Sequence, residues 1–199
     1  LTDIRIPYSV TSIDDYAFWY CESLKTIYIP STVQYFGEKI FDGIKSIEIL
    51  GDIKQIPNKL FCECIEMQQI SIPSSVTSFG DYSFAFCFLL KQITIPPFLT
   101  SIGNNALMYC WSITNIIIPS TVTSIGDYAF KGCSSLKQLT IPSSVKSMGD
   151  FVFNECSSLN QIEILASIKS INDCSFLNCK SLTQITIPSS VTKIGRSAF

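Results

Sequence analysis

Nine cysteines are the residues of this chain most suited to chemistry, as disulfides, metal ligands or nucleophiles. Seven of them share one position of an internal repeat: Cys21, Cys64, Cys87, Cys110, Cys133, Cys156 and Cys179. Stacked repeats would give them parallel Cβ vectors, which fit poorly with a disulfide torsion of about 90°. The one close pair, Cys62 and Cys64, has no second pair at zinc spacing. We therefore expect a row of buried free thiols that act as small hydrophobes.

A row of aspartates is the second candidate, because repeated carboxylates can bind calcium. The row recurs beside a repeated glycine and comprises Asp15, Asp81, Asp127, Asp150 and Asp173. One carboxylate per repeat of 23 residues does not supply the roughly six to eight oxygens that calcium needs. We expect these side chains to stabilise turns by accepting hydrogen bonds from nearby backbone N–H groups.

The chain contains no histidine, which excludes Ser-His-Asp and Cys-His catalysis and His-containing zinc sites. No glycine-rich phosphate-binding string occurs, and the net charge of -2 gives no cationic surface for nucleic acid. The longest apolar run, residues 84–90, is too short for a membrane span. The sequence therefore predicts no enzyme activity, no cofactor or metal, no nucleic-acid partner and no direct membrane insertion.

An internal repeat positions all of these residues. Its interval is 23 residues, except that the second unit has 20 and the ninth is incomplete. The nine units are residues 1–23, 24–43, 44–66, 67–89, 90–112, 113–135, 136–158, 159–181 and 182–199. We expect one repeat domain over residues 1–199. Neither end resembles a polar cap, so we expect an excerpt of a longer protein, or ends that associate with another copy.

The columns of the repeat predict the fold. Ile or Leu at the fourth and sixth positions indicates a half-buried strand, and the Pro that usually follows ends it. A repeated Gly, such as Gly126, is expected to supply positive φ in a tight turn. The prediction is a β-rich solenoid, a leucine-rich-repeat-like stack of nine units. A parallel β-sheet lies on one side, with short strands or turns on the other. The short second unit predicts a bend or shortened loop at Gly43.

The repeat pattern Lxx[IL]xIPxSVTxIGxxAFxxCxS resembles the BspA-like family of leucine-rich repeats, known from anaerobic bacteria and parasitic protists. The similarity covers the whole chain. The third unit departs most, since Leu50 replaces Pro and Pro57 replaces Gly. The eighth unit also lacks both residues, at Leu165 and Asn172. The resemblance implies adhesion, with a cell-surface or secreted protein that attaches to host or matrix proteins.

The outer face of the first sheet is one candidate contact surface, because the other columns are committed to packing. Its third position is a row of amides, expected to hydrogen-bond along the stack: Gln69, Gln92, Asn115, Gln138, Gln161 and Gln184. The variable fifth position is the better candidate for ligand contact. Its members include Arg5, Tyr28, Glu48, Thr94, Ile117, Thr140 and Glu163.

A cluster of large side chains around the Cys column of the fourth and fifth units is the second candidate surface. Other units normally carry small or polar residues there, as in Lys131-Gly132-Cys133-Ser134-Ser135, although the first has Trp19 and Tyr20. The predicted protein-contact patch comprises Phe86, Phe88, Phe98, Met108, Tyr109 and Trp111, of which Phe98 lies near the Pro turn rather than the Cys. The alternative is that these rings fold back over their own repeat edge or pack on a segment outside this chain.

Two functions follow from the sequence. The first is a non-enzymatic module for adhesion that binds a protein or a glycan. The second is an intracellular scaffold or assembly component that uses the same repeat surface. Unpaired cysteines and the lack of an N-x-[ST] sequon favour a cytoplasmic location, whereas the family resemblance favours the cell surface.

Overall fold

A computed structural model describes residues 1–199, which wind into a parallel β-solenoid of about eight turns. Sixteen short strands and the turns between them make up the structure, and no helix is present. The prediction of a leucine-rich-repeat-like stack with a parallel sheet on one side is confirmed. The structure contains no helix that is long and apolar enough to cross a membrane.

The first sheet is built from the Ile-rich segment that opens each unit. Its strands are β1 (Asp3–Arg5), β3 (Thr26–Ile29), β5 (Ser46–Gly51), β7 (Gln69–Ser71), β9 (Gln92–Ile93), β12 (Gln138–Ile141) and β14 (Gln161–Ile164). The order is β1-β3-β5-β7-β9, with β12 and β14 as a separate pair. Side chains alternate between core and solvent, as in Leu139 and Thr140, because successive residues of a strand face opposite sides.

The second sheet is made of two-residue strands from the VTSI-like segment. They are β2 (Ser12–Ile13), β4 (Tyr35–Phe36), β6 (Gln55–Ile56), β8 (Ser78–Phe79), β10 (Ser101–Ile102), β11 (Ser124–Ile125), β13 (Ser147–Met148), β15 (Ser170–Ile171) and β16 (Lys193–Ile194). Strands β6, β8, β10, β11 and β13 form one ladder, whereas β2 pairs with β4 and β15 with β16. The ladder is interrupted between units two and three and between units seven and eight, where Pro57 and Asn172 replace the repeated Gly of the later unit.

The third side of each unit, its sixteenth to twentieth positions, is called the turn edge here. Residues 82–86 are one example. Three N–H groups of this segment donate to the next unit: Tyr82 to Asn104 O (2.9 Å), Phe84 to Ala106 O (2.8 Å) and Phe86 to Met108 O (2.8 Å). Tyr82 and Phe86 are left-handed, with φ of 55° and 62°, and Phe84 between them is not. This alternation points the three N–H groups toward the same neighbour.

One cluster of 53 buried residues runs through the stack between the three sides. The repeated Phe forms its most regular column, in which neighbouring rings stack with centroids 5.1 to 5.7 Å apart. Leu107 interrupts the column at the fifth unit. Because a single unit is too thin to cover these rings, most of the hydrophobic stabilisation comes from contacts between units.

The expected role of the repeated Gly is wrong. Gly126 has no positive φ, and the left-handed glycines are Gly43, Gly51 and Gly132. A Cβ on Gly126 would lie 2.6 Å from the backbone N of Asn104 in the preceding unit. The position therefore needs Gly because two successive turns approach too closely for a side chain.

The short second unit shifts the register of the first sheet. Thr26 pairs with Glu48, an offset of 22 residues, whereas Ser46 pairs with Gln69 at 23. Tyr28 consequently lies beside Leu50. The repeat alignment predicts Glu48 as its neighbour, since both residues are at the fifth position of their units. A slip of two residues keeps every Ile on the core side because side chains alternate with period two.

Candidate functional site

The sheet-face candidates fall into two separate groups. Arg5 lies over the Tyr28 ring, 4.5 Å from its centroid, and the Tyr28 hydroxyl is 3.0 Å from that of Tyr8. Sequence reasoning missed Tyr8, which stands where several other units carry Ser. Glu48 and Thr94 are exposed but join neither group.

The second group lines a shallow depression of about 510 Å³ on the outer face of units six to eight. Ile117, Thr140 and Glu163 contribute to it, together with Leu165. The segment around Ile117 forms no strand and joins the sheet only through a bridge between Asn115 and Gln138. Ile117 is consequently the most exposed aliphatic side chain after Leu1 at the N-terminus.

The expected amide ladder does not form. Gln69 donates to the Ser46 hydroxyl at 2.9 Å, but no hydrogen bond joins one amide side chain of the row to the next. All six amides are exposed, so water competes for their donors and acceptors.

The large side chains of units four and five lie together at the end of the turn edge (Phe86 and Tyr109) and two residues beyond it (Phe88 and Trp111). Phe88 stacks on Trp111 with centroids 4.1 Å apart, and Phe86 lies 5.6 Å from Tyr109. Edge-on contacts of 6.3 and 6.5 Å link the two pairs. We call these four residues the aromatic patch. Met108, beside Tyr109, is half-buried.

Phe98 does not belong to the aromatic patch. Its ring is 62% exposed and forms no aromatic pair with the other four. At this position other units donate a hydroxyl to the preceding turn, as Thr121 does to Leu99 O at 2.6 Å. Phe98 has no hydroxyl to make that hydrogen bond, and its ring is isolated and exposed.

Two rings of the patch occupy an unfavourable backbone conformation. Phe86 and Tyr109 have φ of 62° and 57°, and the equivalent residues of units two and six are Gly43 and Gly132. A left-handed conformation costs an L-residue roughly 1–2 kcal/mol, and Gly avoids this penalty. The rings are therefore not required by the backbone at these positions.

Ion pairs flank the patch at both ends. Lys131 lies 5.6 Å from the Tyr109 ring centroid and 3.4 Å from a Glu155 carboxylate oxygen. Burial opposes the charge of Lys131, but Glu155 and Tyr109 outweigh it and raise its pKa. At the other end Lys39 Nζ lies 3.2 Å from Glu63, and this hydrogen bond raises the pKa of Lys39. The patch thus has an apolar centre and a charged rim.

The cysteine column packs in the core, and every cysteine is a free thiol. Cys87 donates to Phe61 O at 3.0 Å, and four later members repeat the contact. Burial raises the pKa of Cys87 and Cys133 well above the usual thiol value. Since the thiolate is the nucleophile, burial makes these two thiols poor nucleophiles.

Each side chain of the aspartate row accepts a hydrogen bond from a backbone N–H of the next unit, not from its own turn. Asp127 accepts from Asp150 N–H at 2.8 Å, and the same bond recurs along the row. Asn58 and Asn104, which the sequence analysis left out of the row, accept equivalent bonds. The amide oxygen substitutes for the carboxylate, so charge is not essential to this contact.

Comparison with known proteins supports the assignment of the repeat. A protein-family model described as BspA type leucine rich repeat region, in six copies, matches residues 1–112 and 100–199. A leucine rich cell surface protein from Faecalibacterium prausnitzii A2-165 shares 26% identity with a TM-score of 0.72. That match covers 100% of this chain and 66% of the other, so the chain spans just under two thirds of that relative. No curated protein matches the sequence significantly.

Two further solved structures share the fold. The Treponema pallidum leucine rich repeat protein has 24% identity and a TM-score of 0.63, over 92% of this chain and 78% of that one. The pneumococcal vaccine antigen PcpA has 19% identity and a TM-score of 0.51, over 98% and 62%.

Proposed function

The chain belongs to the BspA-type leucine-rich repeat family, and from that premise we propose that it is a non-enzymatic protein-binding module acting in adhesion at the cell surface. The observation that carries the proposal is the aromatic patch. Four rings meet at one edge of the stack, two of them in a conformation that favours Gly. At this position the other units carry Gly or a polar residue, except for Tyr20 of unit one.

The composition of the patch favours a protein partner over a glycan. Large aromatic side chains at the centre and charged pairs at the rim are typical of protein contact surfaces. The depression lined by Ile117, Thr140 and Glu163 is a second, shallower contact surface in this proposal.

The cell-surface location rests on the description of the Faecalibacterium relative as a cell surface protein. Nine free thiols support the rival proposal of an intracellular scaffold. Localisation of the protein in its native cell decides between them, because a purely cytoplasmic signal would contradict adhesion.

Binding to immobilised fibronectin, laminin and collagen, measured by surface plasmon resonance, tests the proposal. The test variant combines Phe86→Gly, Phe88→Ser, Tyr109→Gly and Trp111→Ser, which copies residues of units two, six and seven. We expect at least a tenfold loss of affinity, about 1.4 kcal/mol.

Phe98→Ser is the matched control, because it removes an exposed ring outside the patch. We expect its affinity to equal that of the unmodified chain. If the four-residue variant binds equally well with an unchanged fold, the patch is not the contact site. If the unmodified chain binds none of the three proteins, adhesion to matrix is wrong.

Sedimentation velocity on the same samples tests end-to-end self-association, which a strict monomer would contradict.

A further inference from the structure

Consecutive units are normally joined on all three sides. Between units three and four, for example, the turn edge supplies Lys59 N–H to Asp81 O (2.9 Å) and Phe61 N–H to Ser83 O (2.9 Å). The second sheet supplies Gly80 N–H to Ile56 O at 2.9 Å. The first sheet adds the pairing of β5 with β7.

The junction between units two and three is an exception on two of these sides. The N–H groups of Lys39, Phe41 and Gly43 donate to no acceptor, although the equivalent groups of every other complete junction do. Strand β4 pairs only with β2, and β6 pairs only with β8. Pro57 occupies the Gly position and has no N–H to donate to the preceding unit.

The missing residues explain the break. Unit two is three residues short, and the β3–β5 pairing has an offset of 22. On the turn edge Phe41 stacks on Phe61 at an offset of 20, with centroids 5.1 Å apart. Because the two sides have different offsets, the junction does not reproduce the regular geometry of the other turns.

The contacts that remain are one continuous ladder, the buried stack of Phe41 on Phe61 in the core, and two polar links. β3 and β5 pair over four residues, from Thr26 with Glu48 to Ile29 with Gly51. Asp52 accepts from the backbone N–H of Ser31 at 2.8 Å and from its hydroxyl at 3.0 Å. Exposed polar links of this kind, including the Lys39–Glu63 pair, contribute little against water.

We propose that the β3–β5 pairing is a hinge, about which units one and two move as one body relative to units three to nine. The Ser31–Asp52 and Lys39–Glu63 contacts act as latches that hold the closed form. The movement reaches the aromatic patch, because Lys39 and Asp42 share a depression of about 300 Å³ with Phe86 and Phe88. Opening the hinge widens that depression and changes the surface beside the patch.

Amide hydrogen exchange of the full chain, resolved to single residues, tests the break. We expect Lys39, Phe41 and Gly43 to exchange at least 100-fold faster than their counterparts Lys59, Phe61 and Glu63. Equal protection of the two sets would overturn the proposal. Inserting Cys-Ser-Ser after Gly43, as follows Gly132, together with Pro57→Gly restores the regular unit. In that variant the three amides should gain protection to within tenfold of their counterparts, and unchanged exchange would contradict the proposal.

Cysteine alkylation tests the movement itself. Cys62 is half-buried and lines a depression shared with Glu38 and Lys39 across the junction. Asp52→Ala breaks a latch on a different side of the unit. We expect this change to raise the rate of Cys62 alkylation by iodoacetamide about twofold, because an exposed polar link is weak. The rate of half-buried Cys174, far along the stack in unit eight, should stay constant as the internal control. An unchanged Cys62 rate would show that the latch does not act through a hinge.

Discussion

Units four and five have the same turn-edge backbone as units six and seven but different side chains. Phe86 N–H donates to Met108 O at 2.8 Å, and Gly132 N–H donates to Asn154 O at 2.7 Å in the equivalent bond. One pair of units carries four clustered rings, and the other carries Gly, Glu and Ser at the same positions. The comparison teaches that the backbone of the stack does not determine which side chains its edge presents.

The largest expected effect separates the core rings from the edge rings. Phe130→Ala removes a buried ring that stacks on Phe153 at 5.6 Å, and should lower the free energy of unfolding by about 3–5 kcal/mol. Phe88→Ala on the partly exposed edge should cost less than about 1.5 kcal/mol. Urea denaturation measures both, and equal losses would contradict the division between scaffold and surface.

A Cβ at the close approach between turns has the next largest effect. Gly126→Ala places a methyl group 2.6 Å from Asn104 N and should cost roughly 1–3 kcal/mol. Unit eight has Asn172 at this position, and there the second sheet is interrupted. Asn172→Gly is the comparison in the same thermal unfolding assay, and we expect it to cost about 1 kcal/mol because it removes the hydrogen bond that Asn172 Nδ2 donates to Met148 O at 2.7 Å. An unaffected Tm for Gly126→Ala would refute the steric explanation.

The columns of the repeat predicted the solenoid because the residue at each core position packs against the equivalent residue of the neighbouring unit. Ile at alternate positions and the repeated Phe have one physical role, burial between units, so the pattern alone indicates it. The Gly column was misread because close approach and positive φ both select Gly, and only coordinates distinguish them.

Details that depend on neighbouring units were beyond the sequence. The slip that places Tyr28 beside Leu50 results from a length change that two sides of the solenoid accommodate differently. The sequence did indicate the rings around Cys87 and Cys110 as outliers from their columns. It also placed Phe98 near the Pro turn and not beside the Cys column, but the distance of its ring from the patch depends on the shape of that turn.

A smaller effect is expected from the Asp row. Asp127→Ala removes the acceptor of the Asp150 N–H and should cost about 1 kcal/mol, since the site is exposed to water. Asp127→Asn should cost almost nothing, because Asn104 already accepts the equivalent bond in the unit before. Chemical denaturation of the two variants compares them, and a large loss for Asn would show that charge matters.

The smallest effect is expected on the sheet face. Thr140 is exposed on the outer face of strand β12, and Thr140→Ala should change the free energy of unfolding by no more than about 0.5 kcal/mol. Differential scanning calorimetry measures the change. A larger loss would mean that this face is part of the scaffold.

The central claim is that a uniform backbone carries recognition only through its surface side chains, and moving the patch tests it most directly. The starting chain is the four-residue variant without the patch, into which Gly132→Phe, Ser134→Phe, Glu155→Tyr and Ser157→Trp are introduced. The affinity is measured by surface plasmon resonance for whichever matrix protein the unmodified chain binds. We predict that the relocated rings restore the affinity to within tenfold of the unmodified chain. A folded variant that still fails to bind would show that the backbone of units four and five is itself part of the contact.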